Sequence, residues 1–124
     1  MIPKFRAWDK RENTMRDVAV LHFTKGGKVN SIEYWKTPSE LKSYHVRNLV
    51  LMQSTGLKDK NGVEIFEGDI GWDDHLEVHG QVIFENGAFK YEWDNISEDL
   101  FEVTDDIEIV GNIYENSELL EGSE

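Results

Sequence analysis

The sequence predicts an all-β protein that is built mainly of strands, with one or two short helices. Turn-forming residues recur along the whole chain, and apolar residues alternate with polar ones at the two-residue period of a strand. Long stretches with the 3.6-residue period of an amphipathic helix are scarce. With 124 residues, the chain is long enough for one domain or two small subdomains.

The first half of the chain predicts four strands and a short helix. The strands are expected at residues 5–8, 15–23, 29–35 and 49–54. The second of these should be buried on much of both faces, and Gly26-Gly27 can supply the positive φ of a hairpin that follows it. The helix is expected to begin at Pro38 and to end near Asn48, because Thr37 can cap it.

The second half predicts a more regular set of short strands. They are expected at residues 69–72, 80–84, 88–93, 100–103 and 106–110. Asn86 and Gly87 form the strongest hairpin signal in the chain, because both residues tolerate positive φ. A final short helix is expected at residues 116–120, where Asn116 or Ser117 can cap it.

Five short strands without a long crossover can close into a small barrel. A Gly-Asp-Ile opening, a ragged loop, a hairpin and a closing strand resemble an SH3-like barrel. Phe89, Tyr91 and Trp93 recur at period two, and we expect their shared face to be barrel core rather than a peptide groove. The expected organisation is an N-terminal β subdomain over residues 1–62 and an SH3-like barrel over residues 63–124.

Charge is divided between the same two segments. Residues 1–62 carry 12 Lys and Arg against 6 Asp and Glu, whereas residues 63–124 carry one Lys against 19 Asp and Glu. Such an asymmetry predicts attraction to surfaces of opposite sign, either on another copy or on another molecule. The alternative is that the acidic segment is an ordinary solvated surface that binds no partner.

Several classes of protein are disfavoured by composition. The chain contains no Cys, which excludes disulfides and Cys-based zinc sites and is typical of a reducing cytoplasm. The N-terminal residues lack the apolar segment of a signal peptide, and no apolar run approaches the length of a membrane span. We therefore expect a cytoplasmic protein with no membrane partner.

One cluster has the residue types of a metal site. His75, Glu77 and His79 would share one face of an extended strand, and two His with a carboxylate is a ligand set of some metal sites. A solvated polar loop is the simpler interpretation, since ligands need a shaped and supported pocket.

Catalytic patterns are otherwise missing from the sequence. There is no phosphate-binding glycine loop with a lysine and no nucleophile elbow around a serine. Asp105-Asp106 is interpreted as a solvated turn, because acidic pairs arise by chance in so acidic a segment. We therefore expect no catalytic residues, no cofactor and no enzymatic activity.

A candidate binding site lies near the N-terminus, where basic and aromatic residues are interleaved. Arg6 and Trp8 are two residues apart on a strand, so they share a face that could hold a phosphate and stack a base. Lys10 and Arg11 follow and add positive charge. The alternative is that Trp8 is a core residue and that the basic side chains point to water.

Three stretches together resemble the YopX family of phage and prophage proteins. They are IPKFRAWDKRENTM, LMQSTGLKDKNGVEIFEGDI and DIEIVGNIYENSELL, and they anchor almost the whole chain. The resemblance implies an all-β protein of two subdomains, the second similar to an SH3-like barrel, from a temperate-phage genome. Because the family has no established activity, the resemblance implies no catalytic residues.

These features favour a phage accessory protein that acts by binding. We expect it to form homo-oligomers through its oppositely charged halves, with a further host or phage protein as a possible partner. Two alternatives stay open. The acidic half could mimic nucleic acid and inhibit a host DNA- or RNA-binding protein, or the basic half could bind nucleic acid weakly.

Overall fold

The structure, a computed structural model, describes residues 4–121 and is all-β, as predicted. Its strands β1 to β11 are, in chain order, Phe5–Asp9, Thr14–Phe23, Val29–Thr37, Glu40–His45, Leu49–Lys58, Glu64–Phe66, Asp69–Asp73, Val78–Glu85, Ala88–Trp93, Ile96–Asp99 and Ile107–Asn112. Single 3-10 turns lie at Val46–Asn48 and Leu100–Glu102, and one short helix, α1, spans Glu118–Glu121.

The chain divides into two compact units within β5. The first unit extends to Gln53 and the second begins at Ser54. This division precedes the turn at Gly62, where the charge of the sequence changes sign.

The first unit contains the strands β4-β3-β2-β1 and the first part of β5, in that order, from an antiparallel sheet of six strands. From Ser54 onward, β5 belongs to the second unit and pairs there with β6. Its core contains Ala7 from β1, Ile32 and Tyr34 from β3, and Leu49 from β5. The start of β5 therefore contributes to this core.

Strand β2 is less buried than the sequence suggests. None of its residues is fully buried, and the side chains of Val20 and Phe23 are 38% and 59% exposed. Register shifts between Val18 and Val20, and again between His22 and Phe23, interrupt the alternation. The apolar residues of β2 thus do not mark a strand covered on both faces.

The helix expected after Thr37 does not form. The chain makes a turn at Pro38 and Ser39 and returns as β4, which pairs with β3 through Leu41 opposite Trp35. The residue before a proline is extended both in a strand and at a helix cap, so the pairing of β4 with β3, and not the backbone preference of Thr37, selects the hairpin. Helical structure in this segment is limited to the 3-10 turn at Val46–Asn48.

The second unit contains an antiparallel sheet in the order β10-β9-β8-β7-β11. Four strands follow one another as a meander, and the last strand returns to pair with the first. The sheet confirms the all-β class, whereas its closure into an SH3-like barrel stays a prediction, because β10 and β11 are its edge strands. In the β8–β9 hairpin, Asn86 and Gly87 have φ of 53° and 81°, as the predicted turn requires.

One predicted strand of the second unit is a 3-10 turn. Leu100 and Val103 both enter the core, and the three-residue interval between them matches the 3-10 period. Besides β8, β9 pairs with β10, a strand that is not expected from the sequence.

Tyr91 is at the centre of the second core and is 1% exposed. Its ring lies over Gly71 and Gly80, which are opposite each other on β7 and β8. Phe89 and Trp93 pack against the same core, as their shared face predicts.

Between residues 4 and 121, no helix is long and apolar enough to cross a membrane.

Candidate functional site

Each unit carries a concave site with charges of a single dominant sign. The site in the second unit, called the acidic cleft, has a volume of about 610 Å³. It is lined by Trp72, Glu77, Val78, His79, Gln81, Glu92, Trp93, Asp94, Leu119 and Leu120. Lys and Arg are missing from this lining, so the cleft is suited to a cationic group.

Strand register places the aromatic and polar walls of the acidic cleft. Trp72 on β7 is opposite His79 on β8, and their ring centroids are 4.7 Å apart at an interplanar angle of 51°. Gln81 on β8 is opposite Glu92 on β9. Because side chains alternate between the two faces along each strand, these four side chains lie on the same face of the sheet.

Half-buried tryptophans and exposed carboxylates give the acidic cleft its chemistry. The Trp93 indole is held in place by its Nε1–H, which donates to Glu98 at 2.9 Å. Glu77, Glu92 and Asp94 are exposed around the cleft. An indole face attracts a guanidinium or an ammonium, and nearby carboxylates add Coulombic attraction.

The candidate metal ligands are not arranged on one extended strand. His75 and Glu77 belong to the turn between β7 and β8, where Glu77 has a φ of 57°, whereas His79 lies in β8 against Trp72. Asp73 holds this turn by accepting the backbone N–H groups of His75 and Leu76. Within residues 4–121, no three His, Asp or Glu side chains are grouped to hold a metal.

The site in the first unit, called the basic groove, has a volume of about 460 Å³. It is lined by Arg11, Lys42, Ser43, Tyr44, His45, Arg47 and Asn48. The β1–β2 turn provides Arg11, β4 provides residues 42–45, and the 3-10 turn provides Arg47. Lys10 donates its backbone N–H to the carbonyl of Asn48 at 2.8 Å, which joins the two turns.

A buried carboxylate supports one wall of the basic groove. Asp9 is 0% exposed and accepts the backbone N–H groups of Arg11 and Glu12 and the guanidinium of Arg16. Burial alone would raise the pKa of Asp9, but these hydrogen bonds and the Arg16 charge outweigh it and lower the pKa. The negative charge of Asp9 is thereby compensated by Arg16.

The predicted binding residues fall into two environments. Trp8 is a core residue with 8% of its surface exposed, so its ring has no open face on which a base could stack. Arg6 is half-buried in β1. Lys10 and Arg11 are exposed at the β1–β2 turn, and Arg11 lines the basic groove.

Sequence reasoning missed most of the basic groove. The helix predicted from Pro38 to near Asn48 includes Lys42, His45 and Arg47. Because that helix does not form, the prediction did not place these residues beside Arg11. The sequence feature that indicates this groove is the presence of Lys42, His45 and Arg47 within six consecutive residues.

Comparison with known proteins identifies the family. The YopX protein family matches residues 4–121. The chain is 33% identical to protein EF1440 from Enterococcus faecalis, whose crystal structure matches with a TM-score of 0.75, covering 97% of this chain and 99% of that one. The crystal structure of YopX from Bacillus subtilis matches at 22% identity and a TM-score of 0.69, covering 98% of both chains. No curated protein matches. The chain therefore belongs to the YopX family.

Proposed function

We propose that this protein acts by binding rather than by catalysis, and that copies associate through the acidic cleft of one and the basic groove of the next. The observation that carries the proposal is the presence of two concave sites of opposite charge in separate units. An interface between two different patches of the same chain is heterologous and can propagate or close into a ring.

The charges of the whole units support this association. The unit that ends at Gln53 has ten Lys and Arg against five Asp and Glu. The unit that begins at Ser54 has three Lys against twenty Asp and Glu. Because unlike charges attract over roughly a Debye length, about 10 Å at 0.1 M salt, the association is strongest in dilute salt.

The local chemistry of the two sites is also complementary. Arg11, Lys42 and Arg47 offer guanidinium and ammonium groups, and the acidic cleft offers indole faces with carboxylates beside them. Arginine at an interface can pair with a carboxylate and stack on an aromatic ring at the same time.

Light scattering at low and high salt tests the association, and a charge exchange tests its location. Glu92→Lys with Asp94→Lys should abolish association, and so should Lys42→Glu with Arg47→Glu. Mixing the two variant proteins leaves one intact cleft and one intact groove, so heterodimers should form. A wild-type protein that stays monomeric in dilute salt at high protein concentration would refute the proposal.

Two controls separate local contacts from net charge. Asp105→Lys and Lys25→Glu alter exposed residues outside both sites, and each should leave the association nearly unchanged. If these variants weaken it as much as the site variants do, net charge rather than the two concave sites drives the association.

Mimicry of nucleic acid is the second candidate function, and the large excess of carboxylates in the second unit favours it. In this case the acidic unit inhibits a DNA- or RNA-binding protein in the cytoplasm of a phage-infected or lysogenic host. When the protein is used to capture partners from a host lysate, it should enrich a DNA- or RNA-binding protein. The Glu92→Lys, Asp94→Lys variant should fail to capture that protein.

A further inference from the structure

We infer that the basic groove is a phosphate-binding site that takes a free oligophosphate or the phosphates of a nucleic-acid backbone. The inference does not require self-association, but both use the same groove, so a bound oligophosphate and a neighbouring copy would compete for it. It also replaces the predicted Arg6–Trp8 pair as the anion site, since Trp8 is buried.

The basic groove has a surplus of positive charge. Arg11, Lys42 and Arg47 are exposed, and none forms an ion pair with Asp or Glu in the part of the chain that the structure describes. The nearest buried carboxylate, Asp9, already pairs with Arg16 at 3.2 Å. An anion in the groove would therefore meet three cations whose charge is not neutralised locally.

His45 adds a directed donor to the groove. Its Nδ1 accepts the backbone N–H of Arg47 at 3.1 Å, so in the neutral ring the proton is on Nε2. The same hydrogen bond caps the 3-10 turn that carries Arg47. A neutral imidazole N–H and two guanidinium groups are suitable donors for phosphate oxygens, and guanidinium can bind them in pairs.

The aromatic residue in the groove is partly engaged within the first unit. Tyr44 is half-buried, its ring centroid is 6.3 Å from that of Tyr34, and its hydroxyl donates to Asp9 at 3.4 Å. Without a fully exposed aromatic ring to stack bases, the charged donors of the groove are expected to act mainly on phosphates, which carry no sequence information. Binding to nucleic acid should therefore be independent of sequence.

Calorimetric titration with inorganic tripolyphosphate in dilute salt tests the site. The wild-type protein should bind, and the Lys42→Gln, Arg47→Gln variant should bind on the order of tenfold more weakly. The control, Lys25→Gln with Lys28→Gln, removes the same charge from the exposed β2–β3 turn and should change affinity by less than about twofold. Equal weakening in both variants, or no binding to wild type, would overturn the inference.

Single-stranded oligonucleotides of different sequence distinguish the two sources of phosphate. Equal binding of all sequences, with a slope of log affinity against log salt of roughly −2 for three contacts, assigns the groove to backbone phosphates. Binding of tripolyphosphate alone assigns it to free oligophosphates. A strong sequence preference would contradict the absence of base reading.

The failure of this inference can be distinguished from the failure of self-association. The Glu92→Lys, Asp94→Lys protein has an intact basic groove that no neighbouring copy occupies, so it should bind tripolyphosphate at least as tightly as the wild-type protein even when it is monomeric. Loss of tripolyphosphate binding in that variant would show that the basic groove alone is not sufficient to bind phosphate. Circular dichroism and urea unfolding confirm that each variant remains folded.

Discussion

Asp59 accepts the backbone N–H of Ile109 on its Oδ2 atom at 2.8 Å, which connects residues fifty positions apart. The Oδ1 atom of the same carboxylate accepts the N–H groups of Asn61 and Val63 at 2.8 and 2.9 Å. One buried side chain therefore shapes the turn before β6 and anchors it to β11. The sequence alone does not reveal this role, because it depends on a residue fifty positions away.

Replacement of Asp59 should destabilise the second unit. Asp59→Ala removes the acceptor of three backbone N–H groups in a part-buried environment, and we expect a loss of about 3 kcal/mol in the free energy of unfolding. Urea denaturation measures this loss. Asp105→Ala, at an exposed turn residue, is the matched control and should change stability by less than about 0.5 kcal/mol. Equal stability of the two variants would contradict the anchoring role.

Stability should decrease at acidic pH through Asp59 and Asp9. Burial acts to raise the pKa of Asp59, but the N–H groups of Ile109, Val63 and Asn61 and the charge of Lys60 lower it overall. The pKa of Asp9 is also lowered overall.

Because each folded-state pKa lies below its unfolded value, the stabilisation is complete above the unfolded pKa of about 4. It is lost as pH falls from there through the folded-state pKa. Urea unfolding at a series of pH values should show this acid limb, and Asp59→Asn should make it shallower. An unchanged limb in the variant would exclude Asp59 as a source.

Local turn chemistry made much of the fold predictable. Asn86-Gly87 adopts the positive φ that its residue types favour, and the strands on either side of it begin and end close to the predicted residues. Such turns depend on neighbours in sequence, so they can be predicted without tertiary information.

The errors arose where distant partners determine the structure. Pro38 is acceptable at a helix start and also in a hairpin turn, and pairing of β4 with β3 selects the hairpin. Leu100 has an apolar side chain suited to a strand, but it lies in a 3-10 turn and packs in the core from there.

The candidate sites were predictable in charge but not in position. The sequence showed a basic first half and an acidic second half. The structure shows where charged residues line a concave surface. The basic groove is formed with the β3–β4 hairpin that contains Lys42, and the acidic cleft is formed where Trp72 packs beside His79. Both depend on strand register, which one sequence alone leaves open.

Removal of the Tyr91 hydroxyl should not reduce stability. Among the residues that the structure describes, this buried oxygen has no hydrogen bond of good geometry, although the backbone N–H of Gly80 lies near it and acts to lower the pKa of Tyr91. Burial, together with the charge of Asp73, raises the pKa of Tyr91 far above its ordinary value, so the hydroxyl stays protonated. Tyr91→Phe avoids the cost of burying an unpaired polar group, and we expect stability to be unchanged or higher by about 1 kcal/mol. A clear loss in thermal denaturation would show that the hydroxyl has a stabilising partner.

Gly80 should be intolerant of a side chain because of the Tyr91 ring. A Cβ atom at Gly80 would lie 2.3 Å from the Cζ atom of Tyr91, whereas a Cβ at Gly87 would have no atom within 4 Å. Gly80→Ala should therefore cost about 3 kcal/mol through overpacking, and Gly87→Ala should cost about 1 kcal/mol through its positive φ alone.

A double-mutant cycle with Tyr91→Leu identifies the source of the Gly80 effect. The smaller side chain removes the ring that the new methyl group would meet, so the Gly80→Ala, Tyr91→Leu protein should lose less stability than the sum of its single variants. The same cycle with Gly87→Ala should be additive, because that residue does not contact Tyr91. Additivity in the Gly80 cycle would mean that the backbone of β8, rather than contact with Tyr91, requires glycine at this position.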